Sequence, residues 1–344
     1  LNYYSFKNDY AEAAHPAVLE ALCRDAATQE PGYGEDFASK RASESILNAC
    51  GLTCGEVHFI AGGTLTNLVV ASAFLKPYES IIAADSGHIC IHEAGAIEAT
   101  GHKVHHTPSR NGKIDPTSIL EVLASHTDEH TVRPRLVYIS QSTELGTVYT
   151  RSELEALSHV CRANRLLLYL DGARLGSALT STANDTTIEK LADLVDVFYI
   201  GGTKNGALFG EALVIKNPAP DLSFRHHLKQ RGALLAKGRA IGVQFEALLQ
   251  DNLWLNIARH ANEMAMRLAE GMTQAGYGFT YLPATNQIFP ALPASLVEQL
   301  EQRFGFYRWA KATGSASEDL VTIRLVTSWA TTKEAVDLFV AQTS

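Results

Sequence analysis

From Glu56 onward the chain alternates between two patterns of apolar and polar positions. Mostly apolar runs, "EVHFIAGG", "SIIAAD", "RLVYISQS", "LLLYLDGAR" and "VDVFYIGG", predict strands buried on both faces. Between them, "TLTNLVVASAFL", "HEAGAIEATG", "RSELEALSHVCRAN" and "TIEKLADL" predict helices. Buried strands separated by helices imply a mostly parallel sheet covered on both sides, an α/β domain. A last strand-like run, Ala212 to Ile215, follows "YIGGTKNGALFGEA".

After Asn217 the pattern changes. "GRAIGVQFEALLQDNLWLNIARHANEMAMRLAEGM" predicts a long helical stretch, broken near Asp251–Asn252, that leads out of the sheet. The remainder, with strand-like "GFTYL", "NQIFPAL" and "LVTIRLVTSW" and two helical segments, predicts a small α+β domain. The expected division is 1–250 and 251–344. The first fifty or so residues read as helical or irregular.

With 46% hydrophobic residues in 344, the chain has enough apolar surface for such a core. A net charge of −8 excludes any general attraction to nucleic acid or to anionic membranes. No apolar run approaches the ~18 residues of a membrane span. The N-terminal "LNYYSFKNDY" resembles neither a signal nor a transit peptide. Five scattered cysteines read as free thiols in a reducing compartment, so a cytoplasmic location is expected. Cys50 and Cys54 have no second pair to complete a metal site, and no metal is expected.

Open parallel sheets bind ligands at the carboxyl ends of their strands. Four features fall there. In "IAGGTLTN" a strand runs into Gly62-Gly63 and a helix starts at Thr64, which suits a phosphate; an ordinary turn and cap has the same look. Asp171 ends the strand of "LYLDGARLG". Such a desolvated carboxylate is ionised when a cation pairs with it, either a ligand's pyridinium or Arg174. Lys204 stands among glycines at a strand end. There a desolvated amine forms a Schiff base with an aldehyde; a strand-end lysine reaching water is the plain alternative. His88 follows "SIIAAD" and can stack on a flat ring or move a proton. Together they are the set that pyridoxal phosphate requires. A Rossmann nucleotide binder would need G-x-G-x-x-G after its first strand, which is missing.

The motifs "FKNDYAEAAHPAVLEAL", "GYGED", "GGTLTNL", "GHICIHEAGAIEATGHKV", "YISQSTELGTVYT", "LDGARLGSAL", "GGTKNGALFGEALVI", "KQRGALLAKG" and "IRLVTSWAT" cover the whole length. In them the chain resembles low-specificity L-threonine aldolases, including the subgroup with phenylserine aldolase. The resemblance implies the aspartate-aminotransferase fold (fold type I), with pyridoxal 5'-phosphate as cofactor. It implies retro-aldol cleavage of threonine, allo-threonine or other β-hydroxy-α-amino acids to glycine and an aldehyde. By resemblance, Lys204 carries the cofactor, Asp171 meets its pyridine nitrogen, His88 stacks on its ring, and Gly63 and Thr64 bind its phosphate. Arg174 lies near the cofactor's phenolic oxygen and the substrate carboxylate, Arg324 also binds that carboxylate, and Asn8 is nearby. Lys237 reaches a phosphate across a subunit interface, and Tyr33 is donated to the substrate site the same way, in a homo-oligomer, a dimer at least and commonly a tetramer. Many relatives have a histidine where this chain has Glu144, so Glu144, His88 or a water they hold is the expected proton acceptor. The alternatives are a β-eliminating lyase on the same cofactor and, more distantly, a non-catalytic binder of it.

Overall fold

A computed structural model describes residues 3–24, 26–219, 222–311 and 320–343. The short strand β1 (Tyr4–Ser5) precedes two helices, Pro16–Arg24 and Phe37–Ala49. The main sheet then forms from β2 (Glu56–Ile60), β3 (Glu79–Ala84), β4 (Val104–Thr107), β5 (Arg133–Ser140), β6 (Leu167–Asp171), β7 (Val197–Gly201) and β8 (Glu211–Ile215). Their spatial order is β2-β8-β7-β6-β5-β3-β4. Pairings from β4 to β7 are parallel, and β8 is antiparallel to both its neighbours, so it alone runs against the rest.

Strand alternation divides the sheet's side chains between two cores. Val137, Ile139, Leu168, Leu170, Phe198 and Ile200 enter one. Leu136, Tyr138, Tyr169, Val197, Tyr199 and Leu213 enter the other. Burial on both faces explains why these runs show no polar alternation. Helices on the two faces are set by local signals. Thr150 and Glu153 form a capping box at the start of Arg151–Ala163, and Asp115 caps Pro116–Ala124.

One expected helix is absent. "HEAGAIEATG" follows a four-residue helix, His88–Ile91, and itself holds only a 3₁₀ turn, Glu98–Thr100. Ala94 and Gly95 both take positive φ (51° and 73°), which no helix accommodates. The long helical stretch is broken where expected: Asp251 and Asn252 are left-handed (φ 51° and 56°), separating Arg239–Leu249 from Leu253–Gln274.

The helix Leu253–Gln274 links two cores. Trp254 and Ile257 pack under the main sheet, while Met264, Leu268 and Met272 belong to a third cluster. That cluster is covered by a second sheet, with β9 (Gly278–Phe279), β10 (Gln287–Ile288), β11 (Pro290–Pro293), β13 (Tyr307–Lys311) and β14 (Leu320–Val326), all paired antiparallel. The helices Ala294–Glu301 and Lys333–Ala341 complete it, and β12 (Phe304–Gly305) pairs with β1. The N-terminal segment is therefore tied to the second sheet: Phe6 packs with Phe304 and Phe339, and its carbonyl accepts from Val326 N–H at 2.9 Å.

Candidate active site

A cleft of about 680 Å³ opens where the carboxyl ends of β2, β5, β6 and β7 face β14. At one end, Gly62 caps the helix Gly63–Phe74 without a side chain. Its carbonyl takes Thr66 N–H at 3.0 Å, but the N–H groups of Gly63, Thr64 and Leu65 meet no protein acceptor among the described residues. Unpaired donors at a helix start suit an anion. A side chain at position 63 would press on the Tyr199 hydroxyl, 3.0 Å from where its Cβ would stand, so glycine keeps this wall open.

Asp171 lies at the end of β6, buried, and lines the cleft. Its Oδ2 accepts from Tyr138 (2.7 Å) and Asn67 (3.2 Å), and its Oδ1 from Tyr199 (2.5 Å) and Ala173 N–H (3.0 Å). Burial opposes its charge, but His88 and these donors outweigh that and hold its pKa below the usual carboxylate value. Asp171 is thus a fixed anion facing the cleft. Arg174 is not its partner. The alternative of an Asp171–Arg174 ion pair is overturned, because Arg174 is spent bidentately on Asp9 at 2.7 and 3.0 Å. Asp9 is buried and also accepts from Asn286 at 2.9 Å.

Lys204 lines the cleft together with Asp171 and the glycine turn, and among the described residues it makes no ion pair or hydrogen bond. Burial and Arg174 lower its pKa, against the pull of Asp9, Asp171 and Glu211. An amine poised toward its neutral form is a nucleophile. Across the cleft, Arg324 on β14 sits between Tyr307 and Trp309, its Cζ 5.2 Å from each ring centroid. Its Nη2 donates to Lys7 C=O at 3.2 Å, and its buried Nε has no partner. A buried cation with an open donor calls for an anionic ligand.

The remaining wall is a polar cluster. His88 Nδ1 lies 2.8 Å from Glu93 Oε1, which also accepts from Asn67 at 2.7 Å. Glu144 Oε1 accepts from Ser140 (2.6 Å) and from His88 N–H (3.1 Å), and burial raises its pKa. His92 lines the same cleft with no side-chain hydrogen bond among the described residues, and burial together with His88, Arg324, Lys204 and Arg174 lowers its pKa.

Gly63, Thr64, His88, Glu144, Asp171, Arg174, Lys204 and Arg324 therefore meet in one cleft. Asn8, Tyr33 and Lys237 do not line it. Asn8 Oδ1 accepts from Tyr10 N–H at 3.0 Å, and its neighbour Asp9 makes the contact with Arg174. Tyr33 and Lys237 are exposed and adjacent, joined by Tyr33 N–H to Ala236 C=O at 3.1 Å. Two cleft residues were not singled out by motif: His92, four residues after His88 and so one helical turn on, and Glu211, which closes "FGE". Nor was Asp9, next to Asn8, which does not line the cleft but holds Arg174, which does.

The fold is an α/β fold of the aspartate-aminotransferase type, and the cofactor is pyridoxal 5'-phosphate. The fold alone matches a double mutant of Thermus thermophilus aspartate aminotransferase at a TM-score of 0.73 and 16% identity, over 99% of this chain and 91% of that one. Residues 7–321 match the family model described as beta-eliminating lyase. The low-specificity L-threonine aldolase of Pseudomonas aeruginosa is 32% identical over 96% of this chain and 94% of its own. The structure of Leishmania major threonine aldolase superposes with a TM-score of 0.95 at 44% identity, over 99% of this chain and 98% of that one. The chain belongs to the beta-eliminating lyase family, among the threonine aldolases.

Proposed function

We propose that the cleft breaks the Cα–Cβ bond of L-threonine, L-allo-threonine and related β-hydroxy-α-amino acids, releasing glycine and an aldehyde. The observation that carries this reading is the convergence of an unpaired Lys204, the anionic Asp171 and an open helix start in one cleft. The likeness to threonine aldolases over nearly the whole chain supports it. The donor set fits pyridoxal phosphate. Lys204 is the amine for its aldehyde, Asp171 the anion for its pyridine nitrogen, Gly63 and Thr64 the donors for its phosphate, and His88 the ring for its face. When bound, the cofactor supplies the sink for the electron pair left at Cα.

The protein's own work is to orient and to move a proton. Arg324 offers its open Nε to the substrate carboxylate, and Arg174, held to Asp9 through Nε and Nη2, offers its remaining Nη1. Two such contacts fix which bond at Cα faces the cofactor. Glu144 takes the β-hydroxyl proton, because burial raises its pKa toward the working pH and Ser140 and His88 occupy only its Oε1. His92 favours a second reading of this step, since its ring faces the cleft unbonded and is kept neutral. Glu144→Gln and His92→Phe separate the two: the acceptor's variant loses aldol cleavage, and the other keeps most of it. The exposed neighbours Tyr33 and Lys237 fit a homo-oligomer, a dimer at least, in which each subunit completes the other's site; sedimentation of the native protein tests that.

The deciding experiment is product analysis on threonine, allo-threonine and phenylserine with added cofactor. Glycine and the matching aldehyde are expected. A 2-oxo acid with ammonia would overturn the aldolase reading in favour of β-elimination.

A further inference from the structure

Glu211 is a carboxyl group in a place built for negative charge. It opens β8, and its backbone pairs with Ile60 on one side and Gly201 on the other. That register sets it between the glycine turn Gly62-Gly63 and the loop carrying Lys204. It is buried, lines the cleft, and has no ion-pair partner within 4.0 Å among the described residues. Its Oε2 accepts Gly202 N–H at 2.9 Å. The Thr203 hydroxyl, whose oxygen takes Gly210 N–H at 3.0 Å, also bonds it. A phosphate at the adjacent N–H groups of Gly63 and Thr64 would face a second anion here.

We propose that Glu211 carries a proton whenever a phosphate ligand fills this end of the cleft, so that cofactor loading takes up a proton at Glu211; this rests on the pyridoxal-phosphate reading above. The protonated carboxyl presents a donor to the ligand in place of a repelling charge. The groups that face Glu211 bear this out as a balance close to neutrality. Burial pushes its pKa up to about 7, Asp171 adds to the rise, and Thr203, Gly202 N–H and Lys204 oppose it. Tyr169 and Tyr199, also near it, stay protonated, their own pKa values raised by burial. A phosphate dianion adds to the side that holds the proton.

The test uses 4-deoxypyridoxine 5'-phosphate, which has the ring and the phosphate but no aldehyde for Lys204. Calorimetry at pH 8 in two buffers of different ionisation enthalpy counts the protons taken up on binding. The wild type is expected to take up close to one more proton than Glu211→Gln, and its affinity to fall up to about tenfold more per pH unit above pH 7 than the variant's. The unphosphorylated analogue should show no such difference. Equal proton uptake by the two proteins would overturn the inference and leave the cofactor reading intact. Failure of the phosphorylated analogue to bind would overturn both. Should Glu211→Gln misfold, infrared difference spectra of the wild type decide: a protonated-carboxyl band appearing with the ligand supports the proposal, and its absence refutes it.

Discussion

The floor and the roof of the cleft are built on opposite terms. On the floor, formed by the main sheet, Asp171 and Arg174 have their partners, while Lys204 and Glu211 have no ion pair among the described residues. Asp171 accepts from four donors, and Arg174 is locked to Asp9. In the roof, on β14, Arg324 is held by two aromatic faces and one carbonyl, and its Nε stays open. Saturated charges give a rigid frame, and an open one gives a binding site. The difference teaches which residues position the chemistry and which await the substrate.

Substitutions can break or sharpen this contrast. The largest effect is expected for the unpaired floor lysine: Lys204→Ala should lower kcat/KM at least about a thousandfold and abolish the visible absorbance of bound cofactor. A variant keeping a tenth of wild-type activity would refute its role. Next, Asp9→Asn leaves Arg174 buried without its counter-charge and should destabilise the fold by about 3–5 kcal/mol, read by urea unfolding. Burial opposes the charge of Asp9, but Arg174 and its hydrogen bonds hold its pKa below the ordinary value. Its contribution is therefore present above about pH 4, and the gap between the two proteins should close as pH falls below that. Arg324→Gln should do the reverse. Stability should hold, while kcat/KM falls by about ten- to a hundredfold, as expected for a charged hydrogen bond worth roughly 1.5–3 kcal/mol. An equal loss of stability would show that the roof is frame too. The smallest effect belongs to Trp309→Leu: loss of a cation–π contact of about 0.5–1 kcal/mol should raise KM two- to fivefold with kcat kept.

The strands of the main sheet were legible because burial on two faces leaves long apolar runs. β4 was not, since "VHHT" is mostly polar, and only His105 of its two histidines is buried, its Nε2 2.9 Å from Ser80 Oγ. The helix expected over "HEAGAIEATG" failed at Ala94, a residue whose type carries no warning of positive φ. In the cleft, residues that end strands could be found from strand ends. Asp9, Asn67 and Tyr199 could not, because they reach Arg174 or Asp171 from far along the chain, and no local pattern marks which distant side chain will close a carboxylate's last lone pair. Glu211 was visible in sequence but its position beside the glycine turn follows only from β8 running against its neighbours.

The tie between the N-terminal segment and the second sheet has a consequence in time. A ribosome releases the chain from its N-terminus at about 5–20 residues per second. Asp9 therefore waits on the order of tens of seconds for Asn286, and Phe6 longer for Val326. Arg324, the last of the charged groups in the cleft to be made, donates back to Lys7. Residues made early and residues made late therefore close the same cleft, so a chain cut before Arg324 holds Lys204 and the main sheet but not the roof of its site.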